Sequence, residues 1–335
     1  MAEQKTFEHK HFAHCESGVM SLMMSHHGLP LSEAMAFGLS GALLFAYIPF
    51  LKLGGMPLIT YRARPKSIIR GLQKNLGIKM QMHTFSKPKK GMETLDMLLK
   101  QGEIVGAQSS VFWLPYFPPE MRFHFNAHNL IIYGKEGEQY LISDPVFETS
   151  KSCEAKDLEK ARFVKGMMAP KGLLYYPRHI PESIDYRAIL PKVIRKNAKA
   201  MLKTPVPIAG IRGIRSLAKS IGKLDKKDPR WARLFLGHIV RMQEEIGTGG
   251  AGFRFIYASF LQESGTILDN QDLKKSSQMM TAVGDQWREF ALLAVTAIRR
   301  KKDQPVDFTA IQEKLNSVAI AEAEVYKNLL DIKLA

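Results

Sequence analysis

The chain has 335 residues, 45% of them apolar and 24% charged, a composition that suits a soluble globular protein long enough for two domains. Two cysteines are too few for a disulfide framework and no charged-then-apolar leader opens the chain, so both thiols are expected to be reduced and the protein cytoplasmic. A formal net charge of +16 points to acidic partners, while the lack of zinc-finger spacing, aromatic ribonucleoprotein motifs and basic-zipper heptads argues against sequence-specific nucleic-acid recognition.

The first predicted element is a helix in KHFAHCESGVMSLMMSHHGLP. Val19, Met20, Leu22, Met23 and Met24 give it an apolar stripe, Gly28 suits its C-terminal stop, and Pro30 follows. Cys15 falls in the first turn. There the unpaired N–H groups and the positive end of the helix dipole favour a thiolate and can hold an oxyanion. Cysteine is also among the most buried residue types and is usually inert, so the position alone leaves both readings open. The apolar run from Ala34 to Leu51 is broken by Gly38, Gly41 and Pro49 and reads as core or site wall rather than a membrane span.

Short β-rich runs follow. EIVGAQSSVFWL carries Gln108 at the end of a buried strand, and a bulky loop from Phe112 to Phe125 comes after it. In AHNLIIYGKEGEQYLISDP two apolar runs flank Lys135-Glu136-Gly137, which suits a three-residue hairpin loop. That loop pairs Tyr133 with Gln139, and the same register sets His128 opposite Asp144. An imidazole beside a carboxylate fixes the tautomer and stabilises the imidazolium. The alternative is a hairpin whose ends are merely polar. Cys153, in the polar stretch ETSKSCEAKD, reads as an exposed or half-buried bystander. The early histidines His9, His11, His14, His26 and His27 show no structural zinc spacing, so no metal is expected.

After KGLLYYP the strands stop, and Pro177 and Pro181 punctuate the boundary between domains expected at 1–178 and 179–335. The second is read as all-helical from RWARLFLGHIVRMQEEIG and GFRFIYASFLQESGTIL. Between Lys192 and Lys227 stand eleven Lys and Arg against one acid, Asp225, an anion-facing segment or a solvated helix face. The glycine-rich IGTGGAG lacks the Lys-Ser/Thr ending of a phosphate loop and reads as close helix packing.

A cysteine opening an early helix, a distant histidine on one strand and an Asp-Pro ending the next resemble the papain-like fold in its bacteriocin-leader-peptidase branch. HCES, GLPLSEAMAFGLSGALLFAY and IGTGGAGFRFIYASFLQES are similar to the butirosin-biosynthesis acyltransferase (BtrH-like) family. The resemblance covers nearly the whole chain. It implies an α+β papain-like domain followed by an all-α domain, and transfer of an acyl group from an acyl-carrier-protein thioester to an amine through a cysteine acyl-enzyme. Carried across, Cys15 is the nucleophile, His128 the base and Asp144 its orienter. No resident cofactor is implied, since phosphopantetheine arrives on the acidic carrier protein, and the acceptor is a small-molecule amine. Papain-like peptidases place a glutamine six residues before the cysteine as oxyanion donor; His9 stands there, and Gln108 is the other candidate. Glu16, Glu244, Glu245, Arg254 and Glu263 are candidates for substrate contact, Arg254 toward a pantetheine phosphate. Met20, Met23, Met24, Phe45 and Tyr47 are candidates for an acyl tunnel.

Two other classes stay open: a cysteine peptidase or thioester hydrolase, with water as acceptor, and a non-catalytic binding protein that docks on a membrane or acidic protein. The basic 192–227 segment offers peripheral membrane contact in either case.

Overall fold

Helix α1 (Cys15–His26) is buried on every side from Cys15 to Met24, as its run of apolar and small residues allows. The computed structural model of the chain describes residues 6–299 and 306–334. Helix α2 (Glu33–Ser40) comes next, then a two-stranded ribbon of β1 (Leu43–Leu53) and β2 (Met56–Arg62). Helix α3 (Ser67–Leu76), strand β3 (Lys79–His83), helix α4 (Pro88–Lys100) and strands β4 (Val105–Ser109), β5 (His128–Glu136), β6 (Gln139–Ser143) and β7 (Lys151–Glu154) follow. Helix α5 (Ala155–Phe163) and strand β8 (Leu174–His179) complete this part. The remainder is helical: α6 (Tyr186–Lys203), α7 (Gly210–Ile221), α8 (Pro229–Val240), α9 (Arg254–Ile267), α10 (Gln271–Arg299) and α11 (Phe308–Asp331).

The chain divides into two units, residues 1–36 with 68–184, and residues 37–67 with 185–335. This departs from the expected split at 178/179. The second break falls a few residues later, after β8, and the ribbon groups with the helical unit. Its inward residues explain why: Phe45 and Tyr61 meet Trp287 at ring-centroid distances of 6.0 and 5.5 Å, and Tyr47 meets Phe235 at 6.2 Å. The apolar run from Ala34 is therefore part helix and part strand, switching at Gly41, whose φ of +72° stops the helix.

The first unit is built on a six-stranded antiparallel sheet in the order β3-β8-β4-β5-β6-β7. One face carries Val105, Ala107, Leu130, Ile132 and Leu174 into a core with Leu95 and Leu98 of α4 and Leu158 and Ala161 of α5. Helix α1 lies along β5. A buried helix with cysteine at its N-terminus against an antiparallel sheet is the papain-like arrangement, followed here by an all-α region, so the fold class is the expected one.

The β5–β6 hairpin differs from expectation in register. The loop has two residues, Gly137-Glu138, between the paired Glu136 and Gln139, and a bulge inserts Tyr133 between the pairs Ile132–Ile142 and Gly134–Leu141. Carried one step past Ile131–Ser143, this register sets Leu130 rather than His128 across from Asp144. His128 is two residues further along. It keeps the same face, because side chains alternate with period two.

In the second unit Arg254 and Glu322 are both fully buried and share a 2.7 Å ion pair. Glu322 also accepts from Trp287 Nε1 (2.9 Å) and the Tyr326 hydroxyl (2.8 Å), and Arg254 donates to Gly252 O (2.6 Å). Removing one partner of such a pair strands a charge in the interior. Glu322→Met alone is expected to cost roughly 3–5 kcal/mol, and the double variant with Arg254→Met far less than two single losses. Urea unfolding of the two singles and the double, followed by far-ultraviolet circular dichroism, checks this.

Candidate active site

The site is assembled around the first turn of α1. His14 is the N-cap residue; its Nδ1 accepts from Ser17 N–H at 3.2 Å. The Glu33 carboxylate takes the N–H groups of Ala13 (3.0 Å) and His14 (2.8 Å) and the Ser17 hydroxyl (3.0 Å). Glu16 turns the other way, accepting from Ile68 N–H at 2.9 Å and Ile69 N–H at 3.3 Å in the first turn of α3. Cys15 is thus held between two anchored neighbours. Gly18 lets this turn press on the corner after β6: a Cβ there would lie 2.6 Å from Pro145 Cβ, and Phe12 N–H donates to Pro145 O at 2.6 Å.

That corner brings Asp144 to His128. His128 Nε2 lies 2.7 Å from Asp144 Oδ2, both side chains buried. The same oxygen accepts from the Tyr116 hydroxyl at 2.9 Å, and Oδ1 accepts from Val146 N–H at 3.3 Å. With Nε2 committed to Asp144, Nδ1 is the His128 nitrogen left to face Cys15. The structure therefore brings together Cys15, His128 and Asp144.

Burial alone would push the Cys15 thiol pKa up, but the field of His14, hydrogen bonds with His128 and His14 and the charge of His128 hold it well below the ordinary value. For His128, burial opposes the charged form; the charge and hydrogen bond of Asp144, reinforced by Cys15, outweigh it and raise the pKa to about 10. The pair is a thiolate beside an imidazolium. As pH falls through the lowered Cys15 value the thiol takes up a proton. As it rises through about 10 the imidazolium loses one.

Aromatic side chains cover the pair. Phe117 meets the His128 ring edge-on at 5.4 Å, and Phe147 packs on both Phe117 (4.8 Å) and Tyr116 (5.5 Å). Tyr116 and Phe117 come from the bulky loop after β4, so part of that loop lies over the histidine.

Asn129 belongs to the site although nothing in the sequence singled it out. Its Nδ2 donates to Ala127 O at 3.1 Å and lies 4.0 Å from Cys15 Sγ, and its Oδ1 accepts from the Tyr175 hydroxyl at 3.0 Å. Gly106 makes room for the Tyr175 ring, since a Cβ there would fall 2.2 Å from it. The one available signal was an amide standing among apolar residues of a buried strand.

His9, the first oxyanion candidate, is turned toward Ser143 and Phe147. Its Nδ1 is 2.7 Å from the Ser143 hydroxyl and its Nε2 donates to Phe147 O at 3.0 Å, so both ring nitrogens are engaged. Gln108 pairs across the sheet with Asn129, its side chain is buried, and its Nε2 has no partner among the described residues. The Ser109 hydroxyl, on the residue paired with His128, is likewise buried without a partner.

Other expected contacts are corrected by the same bookkeeping. Glu16 is fully buried and serves α3, so its carboxylate is not open to a substrate. Arg254 is locked to Glu322 rather than offered to a phosphate. Glu244 accepts from Gln243 Nε2 (2.6 Å) and Ala251 N–H (3.2 Å), which fixes the glycine-rich turn. Glu245 is exposed and pairs with Arg241 at 3.9 Å, and Glu263 lies half-buried on α9. These last four belong to the second unit. Cys153 is buried rather than exposed, with its pKa pushed up to about 12 by burial and by Asp157 and Glu154. Both cysteines are free. Among the described residues no group of three or more His, Cys, Asp or Glu is arranged to hold a metal, and no helix is long and apolar enough to cross a membrane.

Residues 156–329, just over half of the chain, match the family described as a domain of unknown function, DUF4872. The chain belongs to that family. Residues 14–145 of this DUF4872 protein match a second family, butirosin biosynthesis protein H, N-terminal, and the match takes in Cys15, His128 and Asp144. The resemblance in the sequence is thereby borne out. Among solved structures, the DUF4872 protein is similar to a chain from Bacillus anthracis assigned as a C39-like peptidase, with 13% identity over 53% of this chain and 97% of that chain and a TM-score of 0.36. No curated protein matches it at a significant level. Family match and site geometry together support a cysteine-type enzyme.

The ion pair sets a testable pH dependence. Alkylation of Cys15 by iodoacetamide is expected to stay fast well under the ordinary thiol pKa of about 8.5. His128→Ala moves the midpoint up. Tyr116→Phe takes a donor from Asp144, strengthens its hold on the imidazolium and moves the alkaline step, the loss of the His128 proton at about 10, to higher pH. Rate-against-pH curves on the three proteins, with Cys153 as internal unreactive control, measure both shifts.

Proposed function

We propose that this protein transfers an acyl group from an acyl-carrier-protein thioester to a small-molecule amine, through an acyl-enzyme on Cys15. The observation that carries the reading is a buried cysteine at a helix N-terminus whose thiolate is favoured by His14 and His128, with His128 held by Asp144 at 2.7 Å. The match of residues 14–145 to a butirosin biosynthesis protein supports amide formation in biosynthesis over peptide cleavage.

The steps balance as follows. The Cys15 thiolate attacks the thioester carbonyl carbon, and the tetrahedral oxyanion is held by the N–H groups of the first turn of α1 and by Gln108 Nε2. The bond to the pantetheine sulfur breaks, and that sulfur takes the proton of the His128 imidazolium. The amine then attacks the acyl-enzyme, neutral His128 accepts its proton, and Cys15 leaves as thiolate. The products are an amide and a free carrier thiol. Phosphopantetheine enters as part of the substrate and is not a resident cofactor.

Transfer in preference to hydrolysis requires that water be kept from the acyl-enzyme. Tyr116, Phe117 and Phe147 supply an apolar cover around His128. The net charge of +16 favours encounter with an acidic carrier.

Intact-protein mass spectrometry after exposure to acyl-pantetheine and carrier-loaded thioesters tests the reading. An acyl mass gain on Cys15, absent from Cys15→Ala and discharged as amide when amines are added, is the expected result. Discharge by water at a rate indifferent to amines makes the protein a thioester hydrolase, and no adduct from any carrier-loaded donor overturns covalent catalysis. Gln108→Ala is expected to lower the acylation rate by about a hundred- to a thousandfold, the range for loss of one oxyanion donor, with the alkylation midpoint unchanged.

A further inference from the structure

The second unit presents a cationic face whose charges have no acidic partners among the described residues. Helix α6 buries Leu190, Val193, Ile194, Ala198 and Met201. Its exposed Lys192, Arg195, Lys196, Lys199 and Lys203 fall within an arc of about 100°, at about 100° per residue. On α7, Arg212, Arg215 and Lys219 fall within about 60° on the side opposite the buried Ile214, Leu217 and Ile221. None of these eight cations meets a carboxylate among the described residues; Arg195 and Arg212 donate to backbone oxygens of Ile332 and Pro205. Both helices pack on α11 and touch each other. On each helix the cations lie away from the residues that pack inward.

Apolar residues stand out beside this charge. The α6–α7 link exposes Pro205, Val206 and Pro207. Strand β1 is tied to that link by Tyr47 N–H donating to Ile208 O at 2.8 Å and by a bridge between Ala46 and Ala209. Phe50 lies three residues on, about 10 Å along the strand. It is 78% exposed and Leu51 is 48% exposed, with Lys52 exposed next to them. Phe50 and Leu51 lie in the irregular stretch between the pairs Ile48–Leu58 and Lys52–Pro57, and both stand out to solvent.

We propose that the outward face of α6 and α7, together with the β1–β2 tip, docks on a lipid bilayer carrying anionic headgroups. A soluble polyanion would meet the lysines and arginines and leave Phe50 and Leu51 in water. A bilayer interface accommodates both: the cations sit at the headgroups, and the apolar tip enters the boundary with the acyl chains. Such docking does not depend on the acyl-transfer reading.

The experiment is co-sedimentation of the full chain with vesicles of phosphatidylcholine alone or mixed with phosphatidylglycerol, at low and high salt. Soluble polyglutamate and duplex DNA serve as competing polyanions. The expected result is sedimentation with the mixed vesicles only, lost in high salt. The variant Lys192→Ala/Lys196→Ala/Lys199→Ala weakens it by about fivefold per cation. Phe50→Ser/Leu51→Ser weakens vesicle binding while leaving polyglutamate binding unchanged. Vesicle binding indifferent to the tip variant, polyglutamate or DNA that strips the protein from vesicles, or no sedimentation with any vesicle overturns the proposal. Cys15 alkylation, measured on each variant, stays at the wild-type rate; failure at the membrane is thus separable from failure at the thiol.

Discussion

Glu33 and Glu16 grip the first turn of α1 from two directions, and the chemistry at the thiol depends on that grip. One carboxylate takes two backbone donors just before Cys15 and the Ser17 hydroxyl just after it, another, from the residue next to Cys15, is planted in the first turn of α3, and together they leave the cysteine little freedom. Buried carboxylates are tolerable only when their acceptor capacity is filled, and both are filled largely by backbone N–H groups that the helix ends would otherwise leave unpaired. The same contacts thus cap two helices and aim one sulfur. With the helix fixed, the absence of a side chain on Gly18 sets how closely it approaches Pro145, and hence where Asp144 stands.

Much of the site was legible because its signals are local. A cysteine in a helical first turn and a His-to-Asp hairpin can be read from spacing, and the structure places those residues together. What escaped was non-local. Tyr116 reaches Asp144 from a loop that reads as nothing more than bulky, and Asn129 is joined to Tyr175 across strand pairings that no short stretch encodes. The ribbon hid inside an apolar run because its partners, Trp287 and Phe235, stand far along the chain.

Charged residues misled where type was taken for role. Arg254 follows a glycine-rich turn, which invites a phosphate, yet its guanidinium is spent on Glu322, Gly252 and the rings of Tyr61 and Trp287. Glu16 adjoins the nucleophile and looks like a substrate contact, yet it is a helix cap. In both cases burial decides, since an interior charge must be matched within the protein before it can meet anything else.

The bulge at Tyr133 has a consequence for how this hairpin can change in length. The pairs Ile131–Ser143 and Ile132–Ile142 lie between the bulge and the dyad, whereas the turn at Gly137-Glu138 lies beyond it. Residues added at the turn lengthen a solvent-facing tip and leave the dyad's frame untouched. Loss of one residue from β5 at the bulge would instead slide His128 by a single step against β6, and a single step is half the repeat of a strand. The imidazole would then look away from its carboxylate. Length variation in related chains should therefore collect at the turn and come only in compensated pairs below it, a reading frame for side chains written into the strand.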